Sequence, residues 1–146
     1  MNSKPKKGTQ EILNAKLTAV PNQYSDRDYE VSITLPEYTC LCPITGYPDF
    51  ATIHVKYIPD QHIIELKSIK LYINQFRDRE IFHEAGVNQI LDDLVACIQP
   101  RWMEVTGDFN PRGNVKTVVR AEYRKPAPDG RRAETGRHME DTGQPD

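Results

Sequence analysis

The spacing of the apolar residues changes twice along this chain, and the change limits the folds that the chain can adopt. Residues 29–35 and 50–58 alternate apolar with polar side chains, which predicts two half-buried strands. Residues 79–99 carry apolar side chains every three or four positions, which predicts an amphipathic helix. Residues 102–109 and 115–123 return to alternation and predict two more strands. Strand, strand, helix, strand, strand is the order of an α+β fold with antiparallel hairpins.

Prolines mark the expected ends of two of these elements. Pro36 is expected to end the first strand and Pro100 to end the helix, because proline lacks the backbone N–H that both structures use. Residues 62–71 are expected to continue as extended chain after a turn. Four strands beside one helix leave sheet edges unpaired, so edge-to-edge assembly into an oligomer is expected.

The 146 residues are enough for one domain, and the two ends differ in composition from the middle. Residues 1–17 begin with several lysines and are expected to form a partly disordered arm. Residues 18–125 hold nearly all the aromatic side chains and form the expected domain. Residues 126–146 are polar with a single methionine, which predicts a disordered tail.

The charge and cysteine content exclude several classes of protein. Nineteen basic and 21 acidic residues give a net charge of −2, which argues against a protein that binds nucleic acid directly. The sequence has neither an apolar run of membrane-spanning length nor a secretion signal. We therefore expect a cytoplasmic location and no association with a membrane. An odd number of cysteines, three, predicts free thiols instead of a disulfide framework.

The predicted helix carries an acid where apolar side chains are expected. On a helical wheel, His83 and Glu84 fall within the arc of the apolar residues. Glu84 lies near the helix N-terminus, where the helix dipole and solvent could stabilise it. The alternative is that Glu84 faces a pocket and binds a ligand with paired N–H donors, such as the edge of a purine-like base.

The loop between the first two strands combines a thiol with a carboxylate. Cys42 and Asp49 are separated by a segment with Pro43, Gly46 and Pro48, so the loop can fold back and bring them together. Asp49 could then accept the thiol proton and later return it to a substrate nitrogen. The alternative is a buried, inert thiol.

Two further readings of the polar residues are open. Cys40, Cys42, His54 and His62 have side chains that bind zinc, although the C-x-C spacing is a weak signal, and we expect no metal. Lys67 and Lys70 are either a solvated face or, with Arg112 and Gly113, a site for a phosphate-bearing cofactor. A dinucleotide would have to be held without a Rossmann or P-loop motif, because the sequence contains neither.

Four blocks of this sequence resemble motifs of one known family, and they occur in the same order as in that family. They are ELKSIKLY at residues 65–72, LCPITGYPDF at 41–50, FHE at 82–84 and GDFNPRG at 107–113. These blocks are similar to those of the NADPH-dependent 7-cyano-7-deazaguanine reductases, which are nitrile reductases of queuosine biosynthesis. The resemblance covers residues 18–125 and fits the single-module type.

The resemblance implies a fold and a reaction. The fold would be the tunnelling fold (T-fold), an antiparallel sheet with helices on one face. Sheets of neighbouring subunits would join into a β-barrel ring, and the homo-oligomer would be two stacked pentameric rings. Cys42 would attack the nitrile of 7-cyano-7-deazaguanine to form a covalent thioimide, and Asp49 would transfer protons. NADPH would then deliver two hydrides to give 7-aminomethyl-7-deazaguanine.

The resemblance also implies the binding residues. His83 would lie beside the reacting carbon and Glu84 would bind the guanine-like edge. The remaining substrate positions would be Ile64, Glu65 and Leu66. The cofactor positions would be Lys67, Lys70, Arg112 and Gly113.

Other functions are compatible with the same fold. One is a relative that forms an amidine on a nitrile-bearing tRNA, which would need Cys42 but no dinucleotide site. Another is a zinc-dependent cyclohydrolase or pterin enzyme, in which Cys42 would bind the metal. A non-catalytic pterin- or purine-binding module is a further alternative.

Overall fold

The computed structural model describes residues 4–127 and contains one main antiparallel sheet with helices against one face. The main sheet has the strand order β2-β3-β5-β6, so β2 and β6 are its edges. A second, two-stranded sheet pairs β1 with β4. The elements in chain order are α1 Lys7–Leu13, β1 Ala19–Pro21, β2 Val31–Leu41, β3 Pro48–Ile58, β4 His62–Ile64, α2 Leu66–Ile73, a 3-10 helix Asn74–Asp78, α3 His83–Ile98, β5 Trp102–Phe109 and β6 Val118–Arg124.

The core lies between the main sheet and the helices. Alternate residues of β3 and β5, such as Ile53 and Val105, are fully buried under the apolar side of α3. This confirms the predicted α+β class and antiparallel hairpins. The other face of the sheet carries polar side chains, among them Ser32, Thr34, His54, Lys56, Glu104 and Thr106. No helix in the described part of the chain is long and apolar enough to cross a bilayer.

Helix α3 lies close to the sheet because two glycines stand at the contact. A Cβ on Gly86 would lie 2.6 Å from the Tyr38 hydroxyl of β2. A Cβ on Gly107 of β5 would lie 2.6 Å from Val87 of α3. Any larger residue at either position would push the helix away from the strands.

The first strand does not end at Pro36, as the sequence suggested. Strand β2 continues to Leu41, with an irregular register between Leu35 and Tyr38 where one extra residue is accommodated. The proline lies in this bulge of an edge strand, where its missing N–H interrupts no ladder. The continuation matters because it carries the chain to Cys42.

Residues 66–71 form part of α2, so the expectation of extended chain throughout residues 62–71 was wrong. Only His62–Ile64 are a strand. The Glu65 carboxylate caps the helix by accepting hydrogen bonds from the backbone N–H groups of Lys67 at 2.7 Å and Ser68 at 2.9 Å. In a helix, Lys67 and Lys70 are three residues apart and share a face, which an extended chain would not allow.

Helix α3 begins at His83 and not at residue 79. The backbone before it pairs with the end of β2, where Leu41 donates to the Arg79 carbonyl and accepts from the Ile81 N–H, both at 3.0 Å. These bonds require extended chain and fix the N-terminus of α3 beside the Cys42 loop. The last residue of the helix is Ile98. Gln99 caps it in a left-handed conformation, with φ of 47°, immediately before Pro100.

The remaining boundaries differ from the predictions by a few residues. Strand β6 begins at Val118, because Val115 closes the preceding turn through mutual backbone hydrogen bonds with Arg112. Lys7–Leu13 of the predicted N-terminal arm form the helix α1. The predicted C-terminal tail lies outside the described residues, except for its first two positions.

Candidate active site

The β2–β3 connection folds back on itself, as the loop residues predicted. The Cys42 N–H donates to the Tyr47 carbonyl at 2.9 Å, and the Gly46 N–H donates to the Cys42 carbonyl at 2.8 Å. Gly46 has φ of 76°, a backbone conformation that favours glycine. Cys40 pairs with Asp49 across the two strands. The turn therefore holds Cys42 at the same end of the hairpin as Asp49, where β3 begins.

The Cys42 thiol is partly accessible and lies in surroundings that favour its thiolate. The Thr45 hydroxyl is the main cause, since its hydrogen bond lowers the pKa of the thiol. The backbone N–H groups of Thr45 and Ile44 and the side chain of Arg112 act in the same direction, so that the pKa falls to about 7. About half of this thiol is therefore the nucleophilic thiolate at neutral pH.

Asp49 is buried at 7% exposure and lies between two basic side chains. The Arg112 guanidinium donates to Asp49 Oδ1, and His83 Nε2 lies 3.2 Å from Asp49 Oδ2. Burial of a carboxylate is costly unless its oxygens have partners, and each Asp49 oxygen has one. Asp49 can accept a proton at either oxygen, which is the property that a proton shuttle requires.

His83 is held on its other side by an aromatic ring. It stacks on Phe109 with a centroid distance of 3.8 Å and an angle of 6° between the planes. Phe109 is 1% exposed and also contacts the edge of the Tyr38 ring. The stack and the Asp49 contact together fix the orientation of the imidazole.

Arg112 reaches Asp49 from the turn between β5 and β6. Gly113 and Asn114 follow it with φ values of 57° and 70°, and they form the tight reversal that the Gly-Asn pair permits. The Arg112 side chain is 41% exposed, so one part of the guanidinium meets the buried carboxylate and another part faces solvent.

A second group of predicted residues lies at the junction of β4 and α2. Ile64 is part of the core at 4% exposure, whereas Leu66 is 62% exposed. Lys67 and Lys70 are exposed on α2, and Glu65 caps that helix. Among residues 4–127, no hydrogen bond or ion pair joins this group to Cys42 or Asp49.

The helical-wheel placement of Glu84 on the apolar side is wrong for the single chain. Glu84 lies in the first turn of α3, next to His83, and is exposed. The apolar arc begins only one turn later, with Val87. The neighbouring Phe82 is also 51% exposed, so this end of the helix presents an acid and an aromatic ring to its surroundings.

The other cysteines differ from Cys42 in their surroundings. Cys40 is fully buried and Cys97 is half-buried against the core, and burial raises the pKa of both thiols. Both are therefore poor nucleophiles beside Cys42. Among residues 4–127, no three His, Cys, Asp or Glu side chains come together as metal ligands, so the four donors considered for zinc do not gather.

Thr45 and Phe109 take part in this site and were not identified from the sequence as functional. Thr45 stands three residues after the cysteine in a turn, where a hydroxyl can bond back to the side chain that precedes it. Phe109 ends an alternating strand and reads as an ordinary core residue. Only its place within the GDFNPRG block could have indicated a role near the site.

Comparisons with known proteins identify the family of this chain. A profile of the family described as QueF-like protein matches residues 48–128. The NADPH-dependent 7-cyano-7-deazaguanine reductase of Microcystis aeruginosa is 59% identical over 120 residues, which are 82% of this chain and 92% of that protein. The enzyme of the same name from Aquifex aeolicus is 58% identical, over 82% of this chain and 94% of that protein.

A solved structure supports the same assignment at the level of the fold. The crystal structure of the archaeosine synthase QueF-Like in the apo form matches with a TM-score of 0.61 and 26% identity. The match covers 68% of this chain and 96% of that one. From the family profile and the two reductases together, the chain belongs to the QueF-like family and, within it, is similar to the NADPH-dependent 7-cyano-7-deazaguanine reductases.

Proposed function

We propose that this protein reduces the nitrile of 7-cyano-7-deazaguanine to the aminomethyl group with NADPH, in the biosynthesis of queuosine for tRNA. The observation that carries the proposal is the thiol of Cys42, with its pKa of about 7, on the same hairpin as the buried Asp49. A nitrile carbon is a weak electrophile, and a thiolate nucleophile makes its reduction easier by forming a covalent thioimide first.

Asp49 is the proton-transfer group in this scheme. The carboxylate accepts the Cys42 proton, the thiolate adds to the nitrile carbon, and the resulting nitrogen anion takes the proton back from Asp49. We assign His83 to the orientation of the carboxylate and of the reacting group, because it lies 3.2 Å from Asp49 and stacks on Phe109. Two NADPH molecules, bound one after the other, would each supply one hydride for the reduction of the carbon to the amine.

The residues proposed for the cofactor fit a molecule that carries several phosphates. Lys67 and Lys70 are exposed on one face of α2, and Arg112 has a partly exposed guanidinium. A Cβ on Gly113 would meet nothing within 4 Å, so the backbone of this turn is open to a ligand. Cations and an accessible backbone suit phosphate groups in the absence of a Gly-rich loop.

On the substrate side, we assign Glu84 to the guanine-like edge. Its exposed carboxylate can accept two N–H groups in a charge-assisted pair. Ile64, Glu65 and Leu66 are assigned to the walls of the base pocket, with the exposed Leu66 as the apolar contact.

These two groups of residues are proposed to meet between subunits. The assembly would be the T-fold ring, in which the edge strands β2 and β6 of neighbouring chains pair to close a barrel. Two such rings, each a pentamer, would stack. Support comes from the two open sheet edges and from the exposure of Leu66, Phe82 and Glu84 in the single chain. We place the catalytic domain at residues 18–125.

We place this chemistry in the cytoplasm. A free thiol nucleophile needs reducing conditions, and all three cysteines are free in the structure. The small net negative charge fits a free base as the substrate, so no direct contact with nucleic acid and none with a membrane is proposed.

The test uses mass spectrometry of the intact protein without NADPH. Incubation with 7-cyano-7-deazaguanine should increase the mass by that of one substrate molecule, and the increase should map to Cys42. Adding NADPH should discharge the adduct and consume two equivalents of cofactor for each substrate. Cys42→Ala should give neither adduct nor turnover, and full turnover by this variant would contradict the proposal.

The second candidate is formation of an amidine with ammonia on a nitrile-bearing tRNA. The observation that favours it is the fold that this chain shares with an archaeosine synthase. That reaction would use the same thioimide but no hydride. Oxidation of NADPH coupled to the free base would support the reductase. Incorporation of ammonia into a nitrile-bearing tRNA, without NADPH oxidation, would support the amidine-forming enzyme.

A further inference from the structure

The contacts of Arg112 do not match a residue that serves the cofactor alone. Its guanidinium donates to Asp49, and its hydrogen bond to the Cys42 side chain contributes to the lowered pKa of that thiol. Of the predicted cofactor residues, Arg112 is the one placed against the proposed nucleophile and the proposed proton-transfer group. Lys67 and Lys70 lie on α2 instead.

We propose that Arg112 is a positioning residue for the first covalent step, before any cofactor is needed. Its guanidinium fixes the orientation of the Asp49 carboxylate and at the same time stabilises the Cys42 thiolate. The proposal rests on the proposed function for the identity of the electrophile, but the effect of Arg112 on the thiol is independent of it.

Arginine suits this double task for a geometric reason. Its planar guanidinium carries five N–H donors, so it can bind a carboxylate oxygen with one nitrogen and a sulfur with another. The neighbours of Asp49 on the other elements are His83 from α3 and the buried thiol of Cys40 from β2, with the Tyr38 hydroxyl beyond. A second arginine, Arg79, acts electrostatically on Tyr38 and lies over the Phe76 ring. Arg112 is the arginine that contacts the Asp49 carboxylate itself.

The proposed step balances without any further reactant. The thiol proton moves to Asp49, a C–S bond forms between Cys42 and the nitrile carbon, and one C–N π bond breaks. The electron pair of that bond goes to nitrogen, which then takes the proton from Asp49. Arg112 neither gains nor loses a proton, and it stabilises the two anions that appear in turn, thiolate and carboxylate.

The first measurement is the rate of alkylation of Cys42 by iodoacetamide against pH, followed by peptide mass spectrometry and without substrate. The unsubstituted protein should show a midpoint near pH 7. Arg112→Gln should move the midpoint upward and lower the rate at pH 7 about two- to threefold, since less thiolate is present. Arg112→Lys, which keeps the charge, should lie between the two.

A matched control is Arg120→Gln. Arg120 lies on the following strand and donates to the carboxylate of Glu104, so the variant loses the same charge and the same kind of ion pair. Its alkylation profile should superimpose on that of the unsubstituted protein. An unshifted profile for Arg112→Gln, or an equal shift for Arg112→Lys and Arg112→Gln, would overturn the proposal.

The second measurement is the rate of thioimide formation with 7-cyano-7-deazaguanine in the absence of NADPH. Arg112→Gln should be slower by about tenfold, because both the thiolate and the orientation of Asp49 are affected. A residue that only binds the cofactor would leave this rate unchanged, and that result would overturn the proposal. If the unsubstituted protein forms no adduct while the alkylation profile of Arg112→Gln shifts as expected, the proposed function fails and the action of Arg112 on the thiol stands.

Discussion

At the scale of single residues, the reactivity of Cys42 depends on its own turn more than on Asp49. The hydroxyl of Thr45 and two backbone N–H groups lower the pKa of the thiol, and these groups are all within three residues of the cysteine. Asp49 cannot lower it, because a neighbouring negative charge disfavours a second one. The site therefore divides the work between a turn that produces the thiolate and a buried carboxylate that moves the proton.

This division predicts the effect of changing Thr45. Thr45→Ala removes the largest contribution to the lowered pKa of Cys42, so the pKa should rise above its value of about 7. The thiolate fraction at pH 7 then falls, and alkylation by iodoacetamide at that pH should slow by about threefold. Alkylation at pH 9.5, where both proteins are mostly thiolate, should be nearly equal.

Thr45→Ser is the matched control for this prediction. It keeps the hydroxyl and should keep the alkylation profile of the unsubstituted protein. If Thr45→Ala also leaves the profile unchanged, the hydroxyl is not the group that lowers the pKa of Cys42.

At the scale of elements, the strands and α3 could be predicted because each buries one face. Because one face is buried, apolar residues recur every two positions in β3 and β5 and about every 3.6 positions in α3. Both periods are visible in the sequence. Helix α2 was missed because it is eight residues long and depends on the cap from Glu65, a residue type that is uncommon as an N-cap. The sequence signal for this helix was the helical spacing of Ile69, Tyr72 and Ile73, which are all buried in the structure.

The candidate site could be predicted only as far as its chemistry is local. The thiol, the carboxylate and the turn between them are visible in one ten-residue loop. The contacts of Asp49 with His83 and Arg112 join residues 34 and 63 positions away and depend on how α3 and the β5–β6 turn pack. No pattern in a single sequence specifies contacts between residues that are so far apart along the chain.

The cap of α2 predicts how two substitutions at Glu65 should differ. Glu65→Ala removes the acceptor for the N–H groups of Lys67 and Ser68, and it should lower the free energy of unfolding by about 1 kcal/mol. Glu65→Gln keeps a carbonyl acceptor and should cost less than half of that. Urea unfolding followed by circular dichroism measures both, and equal losses would show that the cap contributes little.

The close contact of α3 with β2 predicts the effect of Gly86→Ala. The new Cβ would lie 2.6 Å from the Tyr38 hydroxyl, so either the helix or the tyrosine must move. We expect a loss of about 1–3 kcal/mol in the free energy of unfolding. Tyr38→Phe removes the obstructing hydroxyl, so the double variant should recover much of that loss.

At the scale of the whole molecule, the single chain holds two incomplete halves of one proposed site. Cys42, Asp49, His83 and Arg112 form one half, and the β4–α2 junction with Lys67 and Lys70 forms the other. The main sheet ends in two open edges, β2 and β6, and an antiparallel sheet with open edges can extend from chain to chain. Assembly into a ring would then complete the site with residues of a neighbouring subunit.

Mixed oligomers test this arrangement. Cys42→Ala and the double substitution Lys67→Glu/Lys70→Glu should each be inactive alone, because each damages one half of every site. In oligomers made by co-expressing the two variants, random neighbours would leave about a quarter of the sites with both halves intact. NADPH oxidation should therefore recover to about one quarter of the unsubstituted rate. If both halves came from the same chain, every site would carry one of the two sets of substitutions, and co-expression would recover no activity. Activity in the mixture therefore distinguishes a site shared between subunits from a site within one chain.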